Sequence, residues 1–223
     1  MLIQFLNRIL SERKASIKKA TFSGCLFASG DKMNQEQDIL FQAAEFYNEH
    51  LNSKRFELVI QKAKRTESIE IRFFPEAFHH LIGLHKLKDI PQVQRSSLKI
   101  FHEILSGRLT YHDIASSQYL TEMTDRLKYH KEIFHVLNIK SLFFKSLHGK
   151  FKGITADCVI CSEISDSGLY GFLFCIRSRE PFMNPVSFFT RNENREYTKD
   201  GVIWKVVSVS DITPPKKIRH DSQ

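Results

Sequence analysis

Residues 78–90, FHHLIGLHKLKDI, interleave His79, His80, His85, Lys86, Lys88 and Asp89 with an apolar ladder of Phe78, Leu81, Ile82, Leu84, Leu87 and Ile90. The ladder ties the segment to a core, and the imidazole and ammonium groups on the other faces are left to meet an anion. Imidazole changes charge near neutral pH and so takes or gives protons, while an ammonium group neutralises phosphate. The functional reading is phosphate chemistry on an anchored segment; the plain one is a solvated, basic helix end. Two distant residues carry similar pairs of readings. Arg126, in a helical run, either pairs with Glu122 one turn back or aims a two-pronged guanidinium at a phosphate. Ser187, in PVSFF, is either a strand serine beside a turn or a hydroxyl donor to a phosphate oxygen. Tyr170, Tyr197 and Trp204 have rings that stack on bases, but aromatics at strand spacing are more often core, and core is the reading adopted.

Other chemistries lack their residues. Cys158-Val-Ile-Cys161 has the spacing of a zinc or redox pair, yet on a strand residues three apart face opposite ways, and no second ligand pair accompanies it. There is no HExxH and no carboxylate pattern for a catalytic metal. The chain has no GxxxxGK[ST], GxGxxG or GxSxG, which argues against nucleotide-driven motors, kinases, nicotinamide enzymes and α/β-hydrolases.

The elements that must position these groups follow from periodicity. Asn34, with Gln37 three residues on as in a capping box, opens a helix over 35–52 carrying Ile39, Leu40, Ala43, Ala44, Tyr47 and Leu51 at helical spacing. Phe56, Leu58 and Ile60 alternate with polar residues, and after a polar turn, KRTES, comes IEIRFF, so 55–74 reads as a β-hairpin. Pro75 starts and Gly83 stops a short helix, PEAFHHLI. On that helix Phe74, Phe78 and Leu81/Ile82 share a face, His80 projects away from it and His79 lies on the flank. A helix over 97–106, begun at Ser96 or Ser97, turns Leu98, Phe101, Ile104 and Leu105 inward and ends at Gly107. Thr110 and Asp113 cap a short turn over 111–116, and a longer helix spans 118–137. Beyond Asn138, aromatic and β-branched runs separated by Gly, Asp, Asn and Pro read as an antiparallel meander of four or five strands. The class is α+β: a helix and a β-hairpin, several helices, then the antiparallel sheet.

The 223 residues carry a formal charge of +8, but +4 falls in residues 1–32 and +2 in 214–223. Bulk charge therefore says little about a binding face. Four irregularly placed cysteines make no disulfide framework, and no apolar run approaches a membrane span. The start lacks the order of a secretory signal. A cytoplasmic setting without membrane contact is expected. Residues 1–32 do not match the rest and read as a dispensable extension, translated from a start upstream of Met33. Residues 33–212 form the functional domain and 213–223 a disordered basic tail.

The order of helix, hairpin, FHHLIGLHKLKDI, Arg126 on a helix and a meander with PVSFF and EYT resembles one family across about residues 33–210. It is the fourth phage-associated barnase–EndoU–colicin–RelE-like nuclease family, and F-x-H-L-x-G-(x)-x-K-L-x-D-I is the specific part. The resemblance implies an RNase-like fold, helices on one face of an antiparallel sheet. It also implies metal-independent and cofactor-free cleavage of RNA, tRNA or another structured RNA, by a protein of phage or mobile-element origin. The implied reaction is attack of a 2′-hydroxyl on the adjacent phosphorus to leave a 2′,3′-cyclic phosphate. Position by position, the family's histidine falls on His80, its glycine on Gly83, its basic and acidic pair on Lys86 and Asp89, its arginine on Arg126 and its serine on Ser187. The chain departs from the pattern in its further histidines, at 79 and 85. His80 is then the expected base or acid with His85 as a second partner. Lys86 and Arg126 stabilise charge, Ser187 orients the phosphate and Asp89 orients Lys86 or a histidine. A toxin with an immunity or antitoxin partner is implied as well. The competing class is a catalytically inactive module that binds RNA or protein.

Overall fold

In the computed structural model, residues 38–146, 149–151, 154–164, 167–193, 197–199 and 201–215 are described, all within the unit Gln35–Gln223. The expected extension over 1–32, the helix start at Asn34 and most of the basic tail lie outside them. Helix α1 (Ile39–His50) takes its cap from Asp38, whose Oδ1 accepts from the amides of Leu40 and Phe41 at 2.8 and 2.9 Å. The helix expected over 35–52 therefore begins at Ile39. It buries Leu40, Ala43, Ala44 and Tyr47, as the spacing predicts. Asp38 Oδ2 also accepts from the Tyr111 amide at 2.6 Å. Asp38→Ala is expected to cost about 2 kcal/mol, read from the urea midpoint at unchanged slope, with Asp38→Asn costing less because it still accepts at the cap.

The hairpin pairs β1 (Arg55–Lys62) with β2 (Arg65–Arg72) in register from Arg55↔Arg72 to Lys62↔Arg65. Its loop is only Ala63-Lys64, with Ala63 at φ 52, so most of the expected turn KRTES is already strand. Next come α2 (Pro75–Leu81), single 3₁₀ turns at Leu84–Lys86 and Pro91–Gln94, and α3 (Ser97–Leu105). Helix α3 starts after Ser96 but buries Ile100, Phe101 and Ile104, leaving Leu98 exposed rather than inward. Thr110 and Asp113 form the expected capping box on α4 (Tyr111–Ile114).

The helix expected over 118–137 is two, α5 (Thr121–Lys128) and α6 (Glu132–His135). The cause is His130: its buried Nδ1 donates to the Leu127 carbonyl at 2.6 Å, the acceptor a continuing helix would need for its next turn.

The remaining strands are β3 (Leu142–Ser146), β4 (Lys150–Phe151), β5 (Ile154–Thr155), β6 (Cys158–Ile164), β7 (Leu169–Arg177), β8 (Met183–Arg191) and β9 (Gly201–Asp211). The sheet is larger than the meander read from the sequence. β9 pairs with β1 and draws the hairpin in, giving a seven-stranded closed barrel in the order β1-β2-β8-β7-β6-β3-β9, with β4 and β5 as a separate ribbon. All its pairings are antiparallel except β2 with β8, which meet at one parallel bridge, Ile71↔Met183. The fold is α+β, six described helices with a seven-stranded mixed sheet.

Two cores flank the sheet. The larger joins α1, α2 and α3 to the barrel; the smaller gathers Phe144, Phe151, Phe172, Phe174 and Phe189. Cys158 lies in the first and Cys161 in the second, as strand alternation requires, and both are buried free thiols. Trp204 is core. Among the described residues no helix is long and apolar enough to cross a membrane. Helices α2 and α5 both pack against β8, and this junction builds the site.

Candidate active site

Gly83 controls how the elements meet. It stands at φ 87, in the left-handed region glycine adopts freely, and so ends α2 and throws the chain into the 3₁₀ turn that carries His85 and Lys86. A Cβ at this position would stand 2.9 Å from Arg126 Cδ and 3.2 Å from Met123 Cβ. The missing side chain is what lets α5 approach. Gly83→Ala is therefore expected to cost about 2 kcal/mol, backbone strain and clash together, measured by chemical denaturation. Gly168→Ala is the control: Gly168 also has a positive φ, 64, but nothing lies within 4 Å of an added Cβ, so it should cost clearly less.

Arg126 spans α5, α2 and β8. Its Nη1 donates to the His80 carbonyl and to Ser187 Oγ, each at 3.2 Å, and its Cζ stands 5.6 Å from the centre of the Phe189 ring. The Glu122–Arg126 ion pair does not form; Glu122 instead lies 4.0 Å from Lys86 Nζ. Burial, and then repulsion from Arg191, lower the Arg126 pKa to about 10 against a small opposing effect of Glu122, which leaves the guanidinium charged at neutral pH. Beside it opens a cavity of about 590 Å³ lined by His85, Lys86, Arg126, Ser187 and Arg191, with Glu122 and Asp125 on the same wall.

The three histidines take three roles. His79 is buried rather than on a flank, and its Nε2 donates to the Val93 carbonyl at 2.8 Å. Burial lowers its pKa, which the Val93 bond opposes and His80 reinforces. His80 is exposed, as the helix geometry predicts, but its ring is not part of the cavity lining. Its ring lies 4.8 Å from that of His85, centroid to centroid, the two planes tilted by 38°, and partial burial lowers its pKa. His85 is the imidazole on the cavity wall. Burial first, then the charges of His80, Arg126, Lys86 and His79, push its pKa down to about 4, so it is neutral at pH 7, and its Nδ1 is buried without a hydrogen-bond partner.

Asp89 does not orient Lys86 or a histidine. Its carboxylate accepts from Ser117 Oγ at 2.6 Å and from the Gln118 amide at 2.9 Å, which lowers its pKa and fixes the loop leading into α5. Of the residues singled out from the sequence, His85, Lys86, Arg126 and Ser187 thus share one cavity. His80 stands behind His85, Gly83 makes room for Arg126, and Asp89 steadies the approach to α5.

One cavity residue, Arg191, went unrecognised in the sequence, and a second was assigned to the core alone. Arg191 follows Ser187 by four along β8, and on a strand Ser187, Phe189 and Arg191 share a face, so alternation alone could have found it. Tyr197, read from the sequence as core, is half-buried with its ring 4.8 Å from Phe189, and it also lines the cavity. Among the described residues no three His, Cys, Asp or Glu side chains gather as a metal site.

Fold and cavity together define an α+β protein with a cleft that carries Lys86, Arg126 and Arg191 alongside Glu122 and Asp125. The chain belongs to a phage-associated nuclease family: the family model described as phage-Barnase-EndoU-ColicinE5/D-RelE like nuclease4 matches residues 39–217. No curated protein and no solved structure matches it significantly.

Proposed function

We propose that the protein is a metal-independent endoribonuclease that cleaves RNA through its own 2′-hydroxyl. The observation that carries this reading is the meeting of His85, Lys86, Arg126 and Ser187 around one cavity in a member of a nuclease family. The neutral His85 imidazole accepts the 2′-hydroxyl proton as that oxygen bonds to phosphorus. Arg126 and Lys86 neutralise the charge gained by the phosphorane. Ser187 Oγ already accepts from Arg126, so its own proton is free to point at a non-bridging oxygen. As the bond from phosphorus to the 5′-oxygen breaks, that oxygen takes the proton that His85, the ring on the cavity wall, has just gained, with His80 packed behind it. The products are a 2′,3′-cyclic phosphate and a free 5′-hydroxyl. A base, an acid and fixed cations suffice for this sequence.

The test is incubation with total tRNA in excess chelator, followed by end-group analysis. Cleavage that persists and leaves cyclic phosphate ends is the expected result. Absence of cleavage, or its loss on chelation, would overturn the proposal. Toxin-like action in the bacterial cytoplasm, checked by an immunity protein, rests on the same chemistry. Induced wild type should then arrest growth, and the Arg126→Ala variant should not.

A further inference from the structure

Beyond Arg191 the cleft continues into a second cavity of about 480 Å³, lined by Tyr129, Leu169, Asn192 and Glu193. Asp125 and Arg191 belong to both cavities, so the two adjoin along one wall of α5 and the end of β8. Their characters differ. The first sets ammonium, imidazole and hydroxyl groups and two guanidinium groups beside Glu122, Asp125, Phe189 and Tyr197. The second sets a half-buried tyrosine ring and a leucine beside an exposed amide and carboxylates, the mixture of flat apolar wall and edge-reading polar groups that suits a nucleobase. Arg191 sits at the junction, its Cζ 4.9 Å from the centre of the same Phe189 ring that Arg126 approaches from its side at 5.6 Å. Two guanidinium groups held near one ring repel each other, and after burial this repulsion from Arg191 contributes to lowering the Arg126 pKa. A strand carrying one phosphate at each relieves that repulsion.

We infer that the second cavity is a nucleotide subsite: Arg191 binds the phosphate next to the scissile one, and the base beyond it enters between Tyr129, Leu169 and Asn192. This rests on the nuclease reading of the first cavity and adds a substrate class, single-stranded RNA of at least three nucleotides. A base still paired and stacked in a duplex does not enter such a pocket. Aromatic stacking and phosphate neutralisation are each sequence-tolerant, and selection among bases falls to Asn192, Asp125 and Glu193.

The experiment measures binding and cleavage separately. Uncleavable 2′-O-methyl di- and trinucleotides are titrated by fluorescence anisotropy, and the unmodified pair is used for kcat/KM. The trinucleotide is expected to bind at least about tenfold more tightly than the dinucleotide, and Tyr129→Ala and Asn192→Ala should each remove much of that gain while leaving dinucleotide binding unchanged. Asn192 is exposed at the end of β8, so its variant keeps the test alive if Tyr129→Ala folds poorly. Equal binding of the two lengths, or equal loss on both in the Asn192→Ala variant, would overturn the subsite. A length step without any cleavage would leave the subsite standing and sink the nuclease reading; cleavage without a length step would do the reverse.

Discussion

Arg126→Ala is expected to lower single-turnover RNA cleavage by about a hundredfold to a thousandfold, the range for loss of one fixed donor to a developing oxyanion. The structure makes this arginine hard to replace. It is half-buried, it leans on Phe189, and one of its nitrogens is already committed to the His80 carbonyl and Ser187 Oγ, which fixes the rest of the fork toward the cavity. Substitution removes a positive charge and also frees Ser187 to rotate. Arg126→Lys restores charge without the planar fork and should recover only part of the rate. Both variants should denature close to wild type, because no carboxylate among the described residues depends on Arg126 as an ion-pair partner. Full activity in Arg126→Ala would dismiss the assignment.

His85→Ala should cost a further large factor, about a hundredfold to ten-thousandfold, and should exceed the loss in His80→Ala, whose ring is one step removed from the cavity. The pH dependence supplies the distinguishing mark. A free histidine titrates near 6.5, and in the fold His85 falls to about 4. As a base it stays competent down to that value, so the acid limb of kcat/KM should lie well below pH 6 instead of near 6.5. Stability carries the same sign. The unfolded chain takes up the proton first, so the contribution of this group is complete above 6.5 and is lost as pH falls from there through about 4. The pKa values of His79, His80 and His130 are also lowered, chiefly by burial, and push in the same direction. A kcat/KM profile that bends near 6.5 would point to another base.

The sequence disclosed most of the local elements. The hairpin, the Pro75 start and Gly83 stop of α2, the capping box at Thr110 and the outward face of His80 follow from spacing and backbone preference, which act within a few residues. It disclosed less of what depends on distant chain. Alternation identifies β9 as a strand but does not say that it lies beside β1, because pairing is settled by the whole packed sheet. The break between α5 and α6 depends on a side chain, His130, turning back onto a carbonyl, and apolar periodicity does not register that. At the site, residue type marked His85 and Lys86 and the family pattern supplied Arg126 and Ser187. Which histidine faces the cavity depended on a turn, not on a helix face: His80 points outward from α2, and only the left-handed Gly83 brings His85 round. Asp89 was misjudged for a similar reason, since its partners at 117 and 118 are remote in the chain.

The barrel closes between β2 and β8 through one bridge at Ile71 and Met183, and this has a consequence for Ser187. On its other side β8 is laced to β7 along its length, but on this side sheet hydrogen bonds scarcely restrain it. Its pitch there is set by side chains of α2 and α5 lying against it. The aim of Ser187 toward the cavity is thus governed by a helical layer acting as a jig for one strand. Repacking where α2 meets α3, without substituting any cleft residue, is expected to tilt this hydroxyl and so lower any RNA cleavage.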